Sequence, residues 1–249
     1  MTSSRHPEED HLRELLTAAH RVLYHQGLVD YLGHCSARVP GTDRVLIKPK
    51  HSPRVRGLGT LSPEDMVVID LDGDLIDAGA AGDAEGPPAE CFIHTEIYRA
   101  RPDVSAVVHT HQPSGTLLGV IGAELLPVLH VPSVLTDGGD IGTWPCPLLV
   151  TAPDLGRELA GALGQRRLCH LQGHGVVSVA DDLRRAVLTA IAVEQLAEAN
   201  LTILKAGRRP RVIQPDELSR LGETVAAVGG RWAYYLELAG LDPVEAVPA

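Results

Sequence analysis

The sequence predicts an α/β fold in which helices are layered on a mixed β-sheet. Segments whose apolar residues recur every three or four positions alternate with short apolar runs typical of strands. The chain has 249 residues, of which 44% are hydrophobic, enough to bury one sizeable core. Proline and glycine are spread along the chain rather than concentrated in a linker. We therefore expect a single domain over residues 1–249.

The first part of the chain is predicted to form one helix followed by antiparallel strands. Apolar residues between Leu12 and Leu23 recur at helical spacing, and Gly27 follows in the position that ends a helix. The Asp-Gly pair at residues 72–73 favours a hairpin turn. The predicted strands cover residues 35–39, 45–47, 66–70 and 75–76.

The rest of the chain alternates helices with strands. Residues 104–109 have the pattern of a buried strand, and residues 168–179 that of two short strands that turn at Gly173-His174-Gly175. Gly240 is the expected end of the last helix. The predicted helices cover residues 90–100, a segment that begins near Pro113, and residues 154–163, 181–205 and 215–239.

Charge and composition exclude nucleic acid and membranes as partners. The net charge is −10, and no basic block provides the electrostatic footprint for nucleic acid or an anionic membrane. The N-terminus is acidic where a signal peptide would be apolar, and no apolar run reaches the roughly 18 residues of a spanning helix, so we expect a cytoplasmic protein. The cysteines lie far apart, which argues against a disulfide framework and against a thiolate zinc site.

Three histidines are candidate metal ligands. His109 and His111 close the predicted strand 104–109, and side chains two residues apart point to the same side of a strand. His174 stands at the glycine-flanked tip, where the backbone can approach closely and complete a set of three imidazoles. Such a set leaves coordination positions open, as in a catalytic site, and suits Zn, Mn, Fe or Co. A His-x-His pair at a strand end also arises by chance.

The segment over residues 89–111, AECFIHTEIYRARPDVSAVVHTH, resembles the signature of the class II aldolase/adducin family. Three further segments match in the family's order: GHCSAR at residues 33–38, LSPEDM at 61–66 before DLDG at 70–73, and GHGV at 173–176. The resemblance covers about residues 10–205 and leaves a helical C-terminal extension over residues 206–249.

The resemblance implies a three-layer α/β/α fold with a central mixed, largely antiparallel sheet, and a homotetramer with active sites at subunit interfaces. It assigns His109, His111 and His174 as ligands of a divalent metal ion and Glu90 as an acid/base carboxylate. From the residues alone, Glu90 would be an acid favoured at a helix start. His94, four residues further on, shares a helix face with Glu90, and a hydrogen-bonded helix histidine is the simpler interpretation.

The sequence departs from the sugar-phosphate aldolases of this family at the positions that hold phosphate. Those enzymes have an Asn, a Thr-Gly pair and two serines where this chain has His34, the stretch 47–54 and the pair Pro88-Ala89. Pro88 has no backbone N–H to donate, whereas Lys48 and Arg54 suit carboxylates. The alternative is that these cations lie on a solvated loop. The pattern resembles the branch that decarboxylates hydroxylated aromatic or heteroaromatic dicarboxylates.

The leading hypothesis is a metal-dependent, non-oxidative decarboxylase that releases CO2 from a small hydroxylated aromatic dicarboxylate. Glu90, His34 or a water on the metal would supply the proton, and Ser36, Lys48 and Arg54 would bind the substrate. The alternative enzyme is an aldolase or epimerase that acts on a sugar or hydroxy-acid through a metal-stabilised enediolate. A non-catalytic interaction module such as the adducin head is a third class, and the complete set of three histidines argues against it.

Overall fold

The computed structural model describes residues 8–52, 57–81, 86–225 and 228–242, and its strands form one mixed sheet. The order across the sheet is β4-β3-β2-β1-β5-β8-β7-β6, and neighbouring strands are antiparallel except for β6 and β7. The strands are β1 (His34–Arg38), β2 (Val45–Ile47), β3 (Val67–Ile69), β4 (Leu75–Asp77), β5 (Ala106–Thr110), β6 (Gly142–Trp144), β7 (Leu168–Leu171) and β8 (Gly175–Ala180).

Helices cover both faces of this sheet. They are α1 (Glu9–His25), α2 (Phe92–Ala100), α3 (Pro113–Val120), α4 (His130–Leu135), α5 (Pro153–Leu163), α6 (Leu183–Lys205), α7 (Pro215–Val225) and α8 (Val228–Leu238). The sheet separates two hydrophobic cores, as the alternating side chains of β5 show. Ala106 and Val108 pack with α1, α6 and α8, whereas Val107 packs with α2 and α5 on the opposite face. The three-layer α/β/α prediction is confirmed.

The structure confirms most of the predicted elements and adds two. The α1 helix, the β3–β4 hairpin and the β7–β8 hairpin lie where the sequence pattern places them. The short helix α4 and the strand β6, which pairs in parallel with β7, were not predicted. The predicted closing helix over residues 215–239 is two helices, α7 and α8, and the residues between them are not described.

One expectation about apolar segments needs correction. The sequence prediction found no run that approaches a membrane-spanning helix, yet α6 is long and apolar enough for that by length and composition. Most of the apolar window of α6 is buried inside the fold. Because α6 contacts β5 and β8 as well as α1, α3, α4 and α8, its apolar composition is that of a central core helix.

His20 links α1 to β1, the strand next to β5 in the sheet. Its Nε2 accepts a hydrogen bond of 3.1 Å from the Cys35 backbone N–H, so the ring proton is on Nδ1, which donates to the Leu16 carbonyl at 2.7 Å. Both ring nitrogens are therefore satisfied inside the core. Burial lowers the pKa of His20 to about 3, because a charged imidazole is disfavoured away from water.

We predict that His20→Ala lowers the free energy of unfolding by about 2 kcal/mol, because the Cys35 N–H loses its acceptor inside the core. Urea denaturation at pH 7.5 measures this change. His25→Ala, at an exposed position in the last turn of α1, is the matched control and should change stability little.

The same residue should make the fold sensitive to acid. Since the folded pKa of about 3 lies below the ordinary value of 6.5, the contribution of His20 is complete above pH 6.5 and is lost as the pH falls towards 3. The unfolding free energy should therefore decline on acidification, with at most about 1.4 kcal/mol per pH unit from this residue. An equally steep decline in His20→Ala would contradict the assignment.

Candidate metal centre and active site

Four side chains from three segments converge at one edge of the sheet. His109 ends β5, His111 follows it, His174 is in the turn between β7 and β8, and Glu90 immediately precedes α2. One potential ligand atom from each lies within 4.8 Å of every other. The three imidazoles stand edge to face, with ring centroids 4.8 to 5.0 Å apart. The structure thus brings together the four residues that the sequence singled out.

The β5–β8 pairing and a glycine place His174 in this group. Thr110 of β5 lies opposite Val176 of β8. A Cβ atom at residue 175 would lie 2.2 Å from the Thr110 carbonyl oxygen, a distance that a side chain cannot tolerate. Gly175 therefore allows the turn to approach the end of β5. Gly173, with φ of +67°, supplies the left-handed conformation that the turn requires.

The imidazole nitrogens are arranged as metal donors. The Nδ1–H of His109 donates to the Val176 carbonyl at 3.2 Å, which leaves Nε2 with a free lone pair, 2.9 Å from Nε2 of His111. Both ring nitrogens of His174 are buried without a hydrogen-bond partner in the described part of the chain. Burial lowers the pKa of His109 and of His111, so both rings are neutral, the form that binds metals. These donors fit a divalent ion, and the cluster could hold one.

Glu90 is held by groups that favour its ionised form. Its Oε1 accepts a hydrogen bond of 2.9 Å from the Val150 backbone N–H and lies 3.6 Å from Nε2 of His174. Burial alone would raise the pKa of Glu90, but His174 and the Val150 N–H together hold that pKa below its ordinary value. Glu90 is therefore a carboxylate at neutral pH. It precedes the helix rather than forming part of its first turn.

A cavity of about 210 Å³ adjoins the cluster. Its polar walls include His34, Lys48 and Glu90, and Leu32 and Leu149 are among its apolar walls. The combination of a few convergent polar groups with apolar walls is typical of a small-molecule site. Arg54, the other cation assigned to substrate binding, lies outside the described residues.

Lys48 is a buried cation in this cavity. Lys48 directly follows β2 and is 2% exposed. Its Nζ donates a hydrogen bond of 3.1 Å to the Pro49 carbonyl. No carboxylate pairs with it within the part of the chain that the structure describes. Burial lowers the pKa of Lys48 to about 8, so the ammonium form still predominates at neutral pH. The structure therefore contradicts the alternative of a solvated surface position for Lys48.

Ser36 is not at the cavity, which corrects its assignment to substrate binding. It is fully buried beneath α2, and its hydroxyl lies 2.6 Å from Nδ1 of His94 and 2.8 Å from the Tyr98 hydroxyl. His94 is the hydrogen-bonded helix histidine that the sequence favoured, since its Nε2 lies 2.6 Å from Nδ1 of His34. His34 in turn lies beside His109, with 5.1 Å between ring centroids.

Comparison with known proteins identifies the class. The sequence model of the Class II Aldolase and Adducin N-terminal domain matches residues 14–201, and the chain belongs to this family. Three curated relatives are named 3,4-dihydroxyphthalate decarboxylase. The one from Arthrobacter keyseri is 34% identical over 92% of this chain and 94% of its own length, and the one from Terrabacter sp. is 33% identical over 84% and 88%. The chain is thus a lyase with relatives in the decarboxylase branch.

Aldolases are also among the similar proteins. The L-fuculose phosphate aldolase of Escherichia coli is 28% identical over 66% of this chain and 74% of its own length. Among solved structures, an aldolase II superfamily protein from Pseudomonas syringae superposes with a TM-score of 0.78 at 22% identity, over 95% of this chain and 94% of that one. This likeness confirms the fold.

We predict that His109→Ala, His111→Ala and His174→Ala each reduce the metal content of the purified protein. Loss of a direct ligand should weaken binding by more than the roughly 10- to 100-fold that loss of an outer partner costs. Elemental analysis after dialysis measures the loss. His170→Ala is the matched control, since His170 is a buried histidine on β7 outside the cluster. Full occupancy in the three cluster variants would contradict the ligand assignment.

Proposed function

We propose that this protein is a metal-dependent, non-oxidative decarboxylase of a hydroxylated aromatic dicarboxylate of the 3,4-dihydroxyphthalate type. The observation that carries the proposal is the buried Lys48 ammonium, which has no carboxylate partner among the described residues and lines the same cavity as Glu90. The decarboxylase names of the relatives agree with it. A cytoplasmic homotetramer with shared active sites, as the family implies, is part of the proposal.

Electrostatics argue for an anionic substrate. An unpaired buried charge is costly, and an anion that enters the cavity would offset that cost. A dicarboxylate provides such an anion in addition to the carboxylate that leaves. In 3,4-dihydroxyphthalate one carboxylate is adjacent to a hydroxyl group, and Lys48 would hold the other. This contact would fix the ring with its reactive side towards Glu90.

His109, His111 and His174 would hold the metal ion, with Glu90 beside them. A divalent ion in this position supplies a Lewis acid that stabilises negative charge as it develops on a substrate oxygen. The neutral state of His109 and His111 suits this role, because it leaves the net charge of the site to the ion, Glu90, Lys48 and the substrate.

Glu90 is suited to move one proton. As a carboxylate it accepts the proton of the substrate hydroxyl next to the leaving group, and as a carboxylic acid it returns that proton to the ring carbon that bears the carboxylate. The protonated ring is then a β-keto acid. Its carbon–carbon bond breaks, CO2 leaves, and the electron pair returns to the oxygen to restore the aromatic ring. A proton from solvent completes the hydroxyl group.

The proposed function is tested by incubation of the purified protein with 3,4-dihydroxyphthalate. We expect one CO2 and one 3,4-dihydroxybenzoate per substrate, loss of activity with a chelator and its recovery with a divalent metal. Glu90→Gln should retain metal but slow turnover by about 100-fold or more. Cleavage of a sugar phosphate to an aldehyde without CO2 release would instead favour the aldolase alternative.

Lys48→Met should separate substrate binding from folding. We expect kcat/KM for 3,4-dihydroxyphthalate to fall by about 10- to 100-fold, the value of one hydrogen bond to a charged group. The monocarboxylate 2,3-dihydroxybenzoate, which lacks the second carboxylate, should be converted as before. The melting temperature should stay constant or rise, because an uncompensated buried charge is removed.

Lys205→Met, at an exposed position at the end of α6, is the charge-matched control and should leave both substrates unaffected. Equal losses on the two substrates in Lys48→Met would show general damage to the site, and no loss on either would return Lys48 to a structural role.

A further inference from the structure

A chain of hydrogen-bonded side chains connects the cavity with the protein interior. It runs from Nδ1 of His34 to Nε2 of His94 at 2.6 Å, and from Nδ1 of His94 to the Ser36 hydroxyl at 2.6 Å. The Ser36 hydroxyl then meets the Tyr98 hydroxyl at 2.8 Å. His94, Ser36 and Tyr98 are at most 1% exposed, whereas His34 lines the cavity. We call these three buried side chains the relay.

The direction of the relay follows from its inner end. The Tyr98 hydroxyl can donate to Ser36 at 2.8 Å or to the Ser105 carbonyl at 3.5 Å, and the shorter contact is the stronger hydrogen bond. When Tyr98 donates to Ser36, the single hydroxyl proton of Ser36 goes to Nδ1 of His94. The proton of His94 is then on Nε2, which donates to Nδ1 of His34.

This direction of hydrogen-bond donation determines the protonation state of His34. The ring of His34 is neutral and carries one proton, because a doubly protonated ring could not accept the Nε2–H of His94 at Nδ1, 2.6 Å away. Because its Nδ1 accepts from His94, that proton is on Nε2. Nε2 of His34 has no hydrogen-bond partner among the described residues.

We infer that Ser36, His94 and Tyr98 are positioning residues that hold His34 in the Nε2–H tautomer, so that His34 presents a hydrogen-bond donor to an oxygen of the substrate. The inference rests on the proposed function for the identity of that substrate, but the tautomer is a property of the protein alone. It also gives Ser36 a role at the site without substrate contact.

The relay does not deliver a proton. If neutral His34 gave up its proton, either an imidazolate or, after a shift along the relay, a Tyr98 phenolate would remain. Burial raises the pKa of Tyr98 above its ordinary value, and the Ser105 carbonyl next to it has no proton to supply. His34 therefore contributes a fixed donor, and Glu90 carries the proton in the proposed reaction.

The surroundings keep the relay rigid. His34 and Ser36 are on β1, while His94 and Tyr98 are on α2, so the relay bridges strand and helix. The Arg38 guanidinium lies over the Tyr98 ring, 4.9 Å from its centroid, and donates to the Tyr98 backbone carbonyl. This arrangement fixes the position of the Tyr98 hydroxyl relative to Ser36.

Nitrogen NMR of the protein with 15N-labelled histidine tests the tautomer directly. The spectra are recorded without substrate, with and without added Zn²⁺, and His34→Gln identifies the resonances of His34. We expect a proton on Nε2 and a bare Nδ1 in the wild type. In Ser36→Ala, which removes the donor to His94, we expect a mixture of the two His34 tautomers. A proton on Nδ1 in the wild type, or an unchanged tautomer in Ser36→Ala, would overturn the inference.

Steady-state kinetics test the consequence. Ser36→Ala should lower kcat for 3,4-dihydroxyphthalate by about tenfold with little change in KM, since the hydrogen bond from His34 matters most when negative charge develops. Ser178→Ala is the matched control, because Ser178 is 1% exposed and its hydroxyl donates to the Ala186 carbonyl outside the relay. Equal kcat values in the two variants would overturn the inference.

Tyr98→Phe provides a second variant that keeps the aromatic packing. It removes only the donor at the inner end, and we expect a mixed His34 tautomer in the same NMR experiment. If the wild type fails to release CO2 while His34 still carries its proton on Nε2, the proposed function is wrong and the tautomer assignment stands. If CO2 is released while the tautomer is the opposite one, only the relay is wrong.

Discussion

The register of β5 between β1 and β8 is the constraint on which the candidate site depends. His34 on β1 lies directly opposite His109, and Thr110 lies opposite Val176 at the start of β8. Every residue of β5 is buried, and its side chains alternate between two cores. A shift of the β5 register by one residue would turn His109 to the opposite face of the sheet and bury a valine against polar neighbours. Packing of the two cores and formation of the histidine cluster therefore require the same register.

Desolvation determines the protonation states of the buried histidines at the site. The histidines of the cluster and of the relay lie beside one another, where several charged rings would repel each other, and burial keeps His34, His94 and His109 neutral. Lys48 is a buried cation beside them and has no carboxylate partner in the described residues. Neutral imidazoles beside the Glu90 carboxylate and the Lys48 ammonium would suit a metal dication and an anionic substrate, as in the proposed function, since each would offset the charge that the other brings.

The sequence predicted the residues of the cluster but not the roles of their neighbours. Period-two alternation shows that His34 and Ser36 share one face of β1, yet it does not show that α2 covers Ser36 and leaves His34 beside the cavity. The sequence favoured a hydrogen-bonded helix histidine at His94 but did not identify His34 as its partner, because that contact joins α2 to β1. The helix α4 has six residues, too few for a periodic signal, and β6 is the segment Gly142-Thr143-Trp144, which has no apolar run.

Aldol cleavage and decarboxylation make the same demand on this fold. In both, a carbon–carbon bond breaks and its electron pair must be accepted next to an oxygen, so one arrangement of histidines and a glutamate at the end of β5 could serve either reaction. What must differ is the part of the site that holds the remainder of the substrate. In the proposed reaction that part would be formed by His34, Lys48 and Pro88, which line the cavity and lie on or beside β1, β2 and the loop before α2. Because those segments are separate from the β5–β8 pairing, they could change from phosphate to carboxylate recognition while the candidate metal centre stayed in place.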